Sequence, residues 1–165
     1  MLAPKFWYPE NNEISFSSLA LVPFGHIYSL LSKLRMSKAV KKQFDIPIVC
    51  IGNLNAGGTG KTPTTISAAQ FLRDRKYNVH IVSRGYGGTA MGPLSVNDKE
   101  HSADEVGDEA LMLSAFAPTW VATKRSDGIQ SAIKEGADII LLDDGFQDPS
   151  VYKDLSILTV NAKKG

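Results

Sequence analysis

Between residues 14 and 34 the apolar side chains Leu19, Val22, Ile27, Leu30, Leu31 and Leu34 recur at near-helical spacing, and Lys33, Arg35, Lys38, Lys41 and Lys42 follow. The pattern predicts an amphipathic helix with a basic tail. Ser17, Ser18, His26, Ser29 and Ser32, with Pro23 and Gly25, interrupt it, so no run of about 18 apolar residues is present to span a bilayer. Two readings of this segment stand together. It can lie on a membrane, with Phe6, Trp7 and Tyr8 at headgroup depth and lysines drawn to anionic lipid at about 1 kcal/mol each. Equally, it can pack on its own domain and leave the basic end solvated.

After Pro47 the period changes. Ile48, Val49, Cys50 and Ile51 form a short apolar run that stops at Gly52, as a buried parallel strand does. A Gly-rich turn follows, then a helical stretch over about 62–75 and a second strand over 79–82. Residues 104–116 read as a helix, 120–122 as a short strand and 126–135 as another helix. A fully apolar strand over 139–142 ends on two aspartates, and 155–160 is a last strand. Repeated β-α-β order predicts an α/β fold of the P-loop NTPase type, a parallel sheet with helices on both faces, preceded by the amphipathic helix. Residues 161–165 follow the last strand with no helix to cover it, the pattern of a truncated chain.

Charge sharpens the division. The net charge is +1, yet residues 1–44 hold six basic and two acidic side chains, and the rest twelve basic and fifteen acidic. A basic segment, 1–44, joined to a neutral-to-acidic body, 45–165, is not the distribution of a nucleic-acid-binding domain. The single cysteine, Cys50, lies in an apolar run, which excludes a disulfide framework and reads as a buried, inert thiol. Nothing at the N-terminus has the order of a cleavable signal, so a cytoplasmic location is expected.

The chemistry concentrates at Gly57-Gly58-Thr59-Gly60-Lys61-Thr62, between a predicted strand and a predicted helix. This is the end of a Walker A loop. Backbone N–H groups of such a loop and the helix N-terminus direct partial positive charge at one point and hold nucleotide phosphates there. Lys61 would reach the β- and γ-phosphates, and the Thr62 hydroxyl would bind Mg2+. Asn55 stands where the usual pattern has glycine, a mild departure because asparagine tolerates left-handed backbone. A P-loop needs a second carboxylate at the end of a neighbouring buried strand, and Asp143 and Asp144 meet that demand; one contacts the metal and the other orients it. Ser83-Arg84-Gly85-Tyr86-Gly87-Gly88 follows the second strand, where Arg84 either clamps phosphate or is a surface arginine on a flexible turn. Val106-Gly107-Asp108-Glu109 lies near a helix start, where acids are also favoured by the helix dipole alone.

Gly52-Asn53, the Gly57 to Pro63 loop, the Ser83 to Gly88 segment, Val106-Gly107-Asp108-Glu109 and Asp143-Asp144-Gly145-Phe146-Gln147 form, in this order, a set that resembles the N-terminal half of the lipid A 4'-kinases, the tetraacyldisaccharide 4'-kinases. The resemblance runs from about residue 47 to 160. It extends to the aromatic and basic N-terminal segment, which is similar to the family's membrane-docking region. It implies transfer of the ATP γ-phosphate to the 4'-hydroxyl of tetraacyldisaccharide 1-phosphate at the inner face of the cytoplasmic membrane. ATP and Mg2+ are the implied cofactors, with no nucleic acid and no obligate protein partner. By motif, Asn55, Gly57, Gly58, Thr59, Gly60, Lys61 and Thr62 hold the nucleotide, and Asp143 and Asp144 are the Walker B pair. Asp108 is the implied base, Glu109 assists the metal, and Ser83, Arg84, Gly85 and Tyr86 line the acceptor or phosphate site. Two departures stand out: Asp148 occupies a position the family fills with histidine, and family members are about twice as long, their second half supplying a further histidine and part of the acceptor site. Other classes that fit the P-loop are a metal-chaperone GTPase, a partition-type ATPase, or a remnant that binds nucleotide without catalysis. The Asn-Lys-x-Asp motif expected of a GTPase does not occur in the sequence.

Overall fold

A computed structural model of the chain describes residues 41–53 and 60–160, together with Pro23 and Gly25. The expected amphipathic helix, the glycine-loop residues Asn55, Gly57, Gly58 and Thr59, and residues 161–165 lie outside the described residues. The chain divides into two units, Met1–Ala39 and Val40–Gly165, and the second carries the sheet.

Six strands, β1 (Ile48–Asn53), β2 (Val79–Ser83), β3 (Leu94–Ser95), β4 (Thr119–Val121), β5 (Ile139–Asp143) and β6 (Leu155–Thr159), form one sheet. The helices are α1 (Lys61–Asp74), α2 (Ala103–Val106), α3 (Asp108–Ser114) and α4 (Arg125–Lys134). Strand order is β3-β4-β2-β5-β1-β6, and every pairing is parallel except that of β3 with β4.

The apolar runs of β1, β2 and β5 are strands because each alternate side chain finds a helix on its own face. Ile48, Cys50, Val82, Ile140 and Leu142 pack with Ile129 and Ala132 of α4. Their neighbours Val49, Val79, Ile81 and Leu141 pack on the other face with Ala69 and Leu72 of α1 and Leu113 of α3. Full burial of each Ile, Leu or Val contributes roughly 1.5–3 kcal/mol, and a central strand that is apolar on both faces collects this twice over. Buried His80 accepts a hydrogen bond at Nδ1 from Trp120 Nε1 at 3.1 Å. Burial holds His80 below its usual pKa, against the pull of Glu135 and Asp138, which keeps it a neutral acceptor. At the edge of the sheet β6 leaves Leu155 and Leu158 exposed. No helix among the described residues is long and apolar enough to cross a membrane.

Two features differ from the sequence pattern. The two-residue β3 was not foreseen and adds an antiparallel edge to a sheet expected to be wholly parallel. The helix expected over 104–116 is two helices, because Gly107 between them has φ 87 and ψ 144, outside the helical region and open in practice only to glycine. A capping box of Ser102 and Glu105 starts α2. The break makes Asp108 and Glu109 the first turn of α3.

A Cβ at Gly107 would lie 2.6 Å from the Tyr86 carbonyl oxygen, whereas one at Gly87, with φ 86, would meet nothing within 4 Å. Gly107→Ala is therefore expected to cost about 2–3 kcal/mol, strain and clash together, and Gly87→Ala about 1 kcal/mol from strain alone. Urea denaturation of both variants checks this; equal losses would show that the close approach to Tyr86 carries no weight.

Candidate functional site

The functional side chains meet at the carboxyl ends of the parallel strands, the edge at which open α/β sheets bind ligands. Gly60, in left-handed backbone at φ 83, ends the loop after β1 and lets α1 begin at Lys61. The first turn of α1 contains no acidic residue and has no side-chain cap, an arrangement that suits an anion at its leading N–H groups. Thr64 and Thr65 direct their hydroxyls back to the carbonyls of Gly60 and Lys61, at 2.8 and 3.1 Å. Thr62 is half-buried in the same turn.

Strands β1 and β5 are paired with Ile51 opposite Asp143, which sets the end of β5 beside the end of β1. Lys61 spans them. Its Nζ is 3.4 Å from Asp144 Oδ1 and donates to Asn53 Oδ1 at 3.3 Å. Asp143 is 2% exposed, and among the described residues its carboxylate accepts one hydrogen bond, from Thr65 Oγ1 at 3.4 Å. Burial pushes its pKa up to about 6, and the negative charges of Glu109 and Asp144 add to the rise, against the pull of Lys61 and Thr65. Asp144 has φ 50 and a half-exposed carboxylate.

The Ser83 to Gly88 segment interlocks with the α2–α3 junction. A Cβ at Gly88 would lie 2.7 Å from the Gly107 nitrogen, and Ala90 N–H donates to the Glu105 carbonyl at 2.8 Å. The glycines here serve close backbone approach rather than flexibility. Gly85 N–H donates to Ser83 Oγ at 3.4 Å, so the buried serine shapes the turn. Arg84 is exposed and has no ion-pair partner among the described residues, and Tyr86 is 91% exposed. Asp108 and Glu109, both exposed, stand at the start of α3, and Glu109 is close enough to raise Asp143. The structure thus joins Lys61, Thr62, Asp143, Asp144 and Glu109 in one neighbourhood and sets the 83–88 segment against the helix start that carries Asp108.

Residues 17–165 match the family model described as tetraacyldisaccharide-1-P 4'-kinase. The chain belongs to that family. Proteins named tetraacyldisaccharide 4'-kinase are 45% identical in Parvibaculum lavamentivorans and 48% identical in Jannaschia sp., each over all of this chain and over 48% and 49% of their own lengths. The chain spans about half the length of the curated relatives it matches. A crystal structure of LpxK from Aquifex aeolicus in complex with ATP superposes with a TM-score of 0.77 at 30% identity, covering 88% of this chain and 49% of that one.

Beside these residues lies a group that sequence reasoning missed. Arg125, the first residue of α4, is 6% exposed. Its Nη2 donates to the carbonyls of Asp144 at 2.8 Å and Asp143 at 3.4 Å, and its Nη1 to Asp148 Oδ2 at 3.2 Å. Its Nε is buried without a hydrogen-bond partner among the described residues, at a cost of about 1–3 kcal/mol. Burial raises the Asp148 carboxyl, but hydrogen bonds from Ser150 and the charge of Arg125 more than offset this and hold it low. Lys153 Nζ donates to the carbonyls of Phe146 and Asp148, at 3.0 and 2.7 Å. The one sequence signal for Arg125 was its place, a few residues past β4 at the same sheet edge where β5 ends in Asp143; its partners gave none.

The native state holds the Asp143 proton more tightly than the unfolded chain does. This favours folding below the ordinary value of 3.8 and is lost as pH rises through about 6, above which the ionised group opposes the fold. Asp143→Asn is accordingly expected to stabilise the ligand-free chain by about 1–3 kcal/mol at pH 7.5, with the gain vanishing toward pH 4. Urea denaturation at the two pH values checks it; a loss of stability at pH 7.5 would contradict the assignment.

Proposed function

We propose that this chain is the nucleotide-binding half of a tetraacyldisaccharide 4'-kinase, transferring the γ-phosphate of ATP to the 4'-hydroxyl of tetraacyldisaccharide 1-phosphate. The observation that carries the reading is Lys61 Nζ, held between Asn53 and Asp144 at the N-terminus of α1. An ammonium so placed leaves Asp144 for the β- and γ-phosphates when they enter against the first turn of α1.

The surrounding donors fit Mg2+. Asp144 pairs with Lys61, and Asp143, raised first by burial and then by the charges of Glu109 and Asp144, leaves an excess of negative charge that a cation offsets. The ion would be held by one or two carboxylates, the Thr62 hydroxyl, water and phosphate. Bound there, Mg2+ supplies charge neutralisation on the transferring phosphoryl group. Asp143 and Asp144 hold and orient the ion, with Glu109 assisting. Asp108 accepts the proton of the attacking hydroxyl, and Lys61 balances charge on the phosphate. Asn55, Gly57, Gly58, Thr59 and Gly60 are the residues whose backbone N–H groups would hold the phosphates. Ser83, Arg84, Gly85 and Tyr86 border the acceptor side, where Arg84, with no ion-pair partner among the described residues, suits a phosphate. The segment 1–44 docks the protein on the inner face of the cytoplasmic membrane, and 45–165 binds nucleotide.

The test is nucleotide binding together with transfer of labelled γ-phosphate to the lipid acceptor in mixed micelles. Lys61→Ala is expected to weaken Mg2+·ATP binding at least tenfold, about the loss of one charge-assisted contact. Asp108→Asn is expected to leave binding intact and to lower transfer by about 10²–10⁴-fold. ATP binding indifferent to Lys61, or transfer indifferent to Asp108, would overturn the proposal.

A further inference from the structure

Nucleotide binding accounts for Lys61 and the two aspartates but assigns no task to the buried cation that grips the same turn through its backbone. Lys61 takes the carboxylate of Asp144, and Arg125 takes its carbonyl, at 2.8 Å. Between these two holds the residue has φ 50, left-handed backbone that is uncommon outside glycine even though aspartate tolerates it better than most residues. Relaxing that backbone to ordinary angles would turn the peptide and carry the carboxylate away from Lys61. The guanidinium is itself anchored by Asp148 Oδ2, whose partner oxygen Oδ1 accepts from Ser150 N–H at 2.9 Å and Ser150 Oγ at 2.6 Å. Lys153 closes the same turn through the carbonyls of Phe146 and Asp148. The chain runs from one end of this frame to the other in six residues, 143–148, so a change at Asp148 is transmitted to Asp144.

We propose that Arg125, anchored by Asp148, is a positioning residue: it fixes the left-handed backbone of Asp144 and so sets the Asp143 and Asp144 carboxylates where the cation of a Mg2+·nucleotide complex is received. The inference rests on the nucleotide-binding reading above. Arginine is needed because its planar fork serves two carbonyls and a carboxylate at once, which the single ammonium of lysine does not. The effect falls on the metal-dependent part of binding, since the phosphates are also received at the first turn of α1, with which Arg125 makes no hydrogen bond or ion pair among the described residues.

The experiment measures affinity for ATP with Mg2+ and with EDTA, by calorimetry, for the unaltered chain, Arg125→Lys and Asp148→Asn, with circular dichroism and thermal melting on each. In Arg125→Lys the gain in affinity that Mg2+ confers is expected to fall about tenfold, the size of effect seen when groups behind metal ligands are removed, while affinity in EDTA changes less than about twofold. Asp148→Asn keeps the carbonyl contacts and is expected to lose about threefold of the same gain. Should Arg125→Lys fail to fold, Asp148→Asn decides alone. Equal losses with and without metal would make Arg125 merely structural and overturn the inference. So would variants that keep the whole Mg2+ gain, an outcome that leaves the nucleotide-binding reading standing. An unaltered chain that binds no ATP, or binds it without regard to Mg2+, overturns both.

Discussion

A carboxylate buried at the end of an apolar strand sets the terms for this molecule. Asp143 continues the Ile139–Leu142 run into the interior, and taking its charge out of water costs several kcal/mol unless something compensates. Compensation comes mainly from α1. The parallel register of β1 and β5 brings the end of β1 alongside, α1 supplies Thr65 from its first turns, and Lys61 stands beside the pair of acids. It remains partial, as the elevated carboxyl of Asp143 records, with Glu109 and Asp144 adding to the excess of negative charge. A site left under-neutralised in this way is destabilising for the ligand-free fold and favourable for a cation that arrives with an anionic ligand.

The same end of the sheet shows how glycine is used to place acids rather than to loosen loops. Gly107 breaks a helix so that Asp108 and Glu109 head a new one, with their side chains at its positive end. The break is possible because the Gly85–Gly88 backbone lies close against it, leaving no room for a Cβ at Gly88 or Gly107. Two of the segments that carried the sequence resemblance are therefore one structural unit, and each explains the composition of the other.

Much of this was legible in the sequence. β1, β2 and β5 could be read because a strand buried on both faces is an unbroken apolar run, and α1 because it follows a glycine loop. The paired acids were legible as polar residues where an apolar run should have ended in a turn. β3 was not, since two residues joined only to β4 at the sheet edge leave no periodic trace. The α2–α3 break was hidden because the apolar spacing of Val106, Ala110 and Leu113 runs through Gly107 as it would in one continuous helix. Arg125 escaped because its partners are mainly backbone carbonyls, which carry no sequence signature, and its carboxylate partner, Asp148, lies 23 residues away. The basic amphipathic segment and the glycine loop itself fall outside the described residues, so their reading still rests on pattern.

The central claim is that Lys61 and Asp144 hold each other's place until a Mg2+·nucleotide complex separates them. A crystal structure of the chain grown with Mg2+ and a non-hydrolysable ATP analogue tests it most directly. The account predicts the analogue's phosphates at the first turn of α1, Lys61 Nζ moved from its 3.4 Å contact with Asp144 onto phosphate oxygens, and the ion beside Asp143 and Asp144. An analogue bound at another part of the surface, with Lys61 still paired to Asp144, would contradict it.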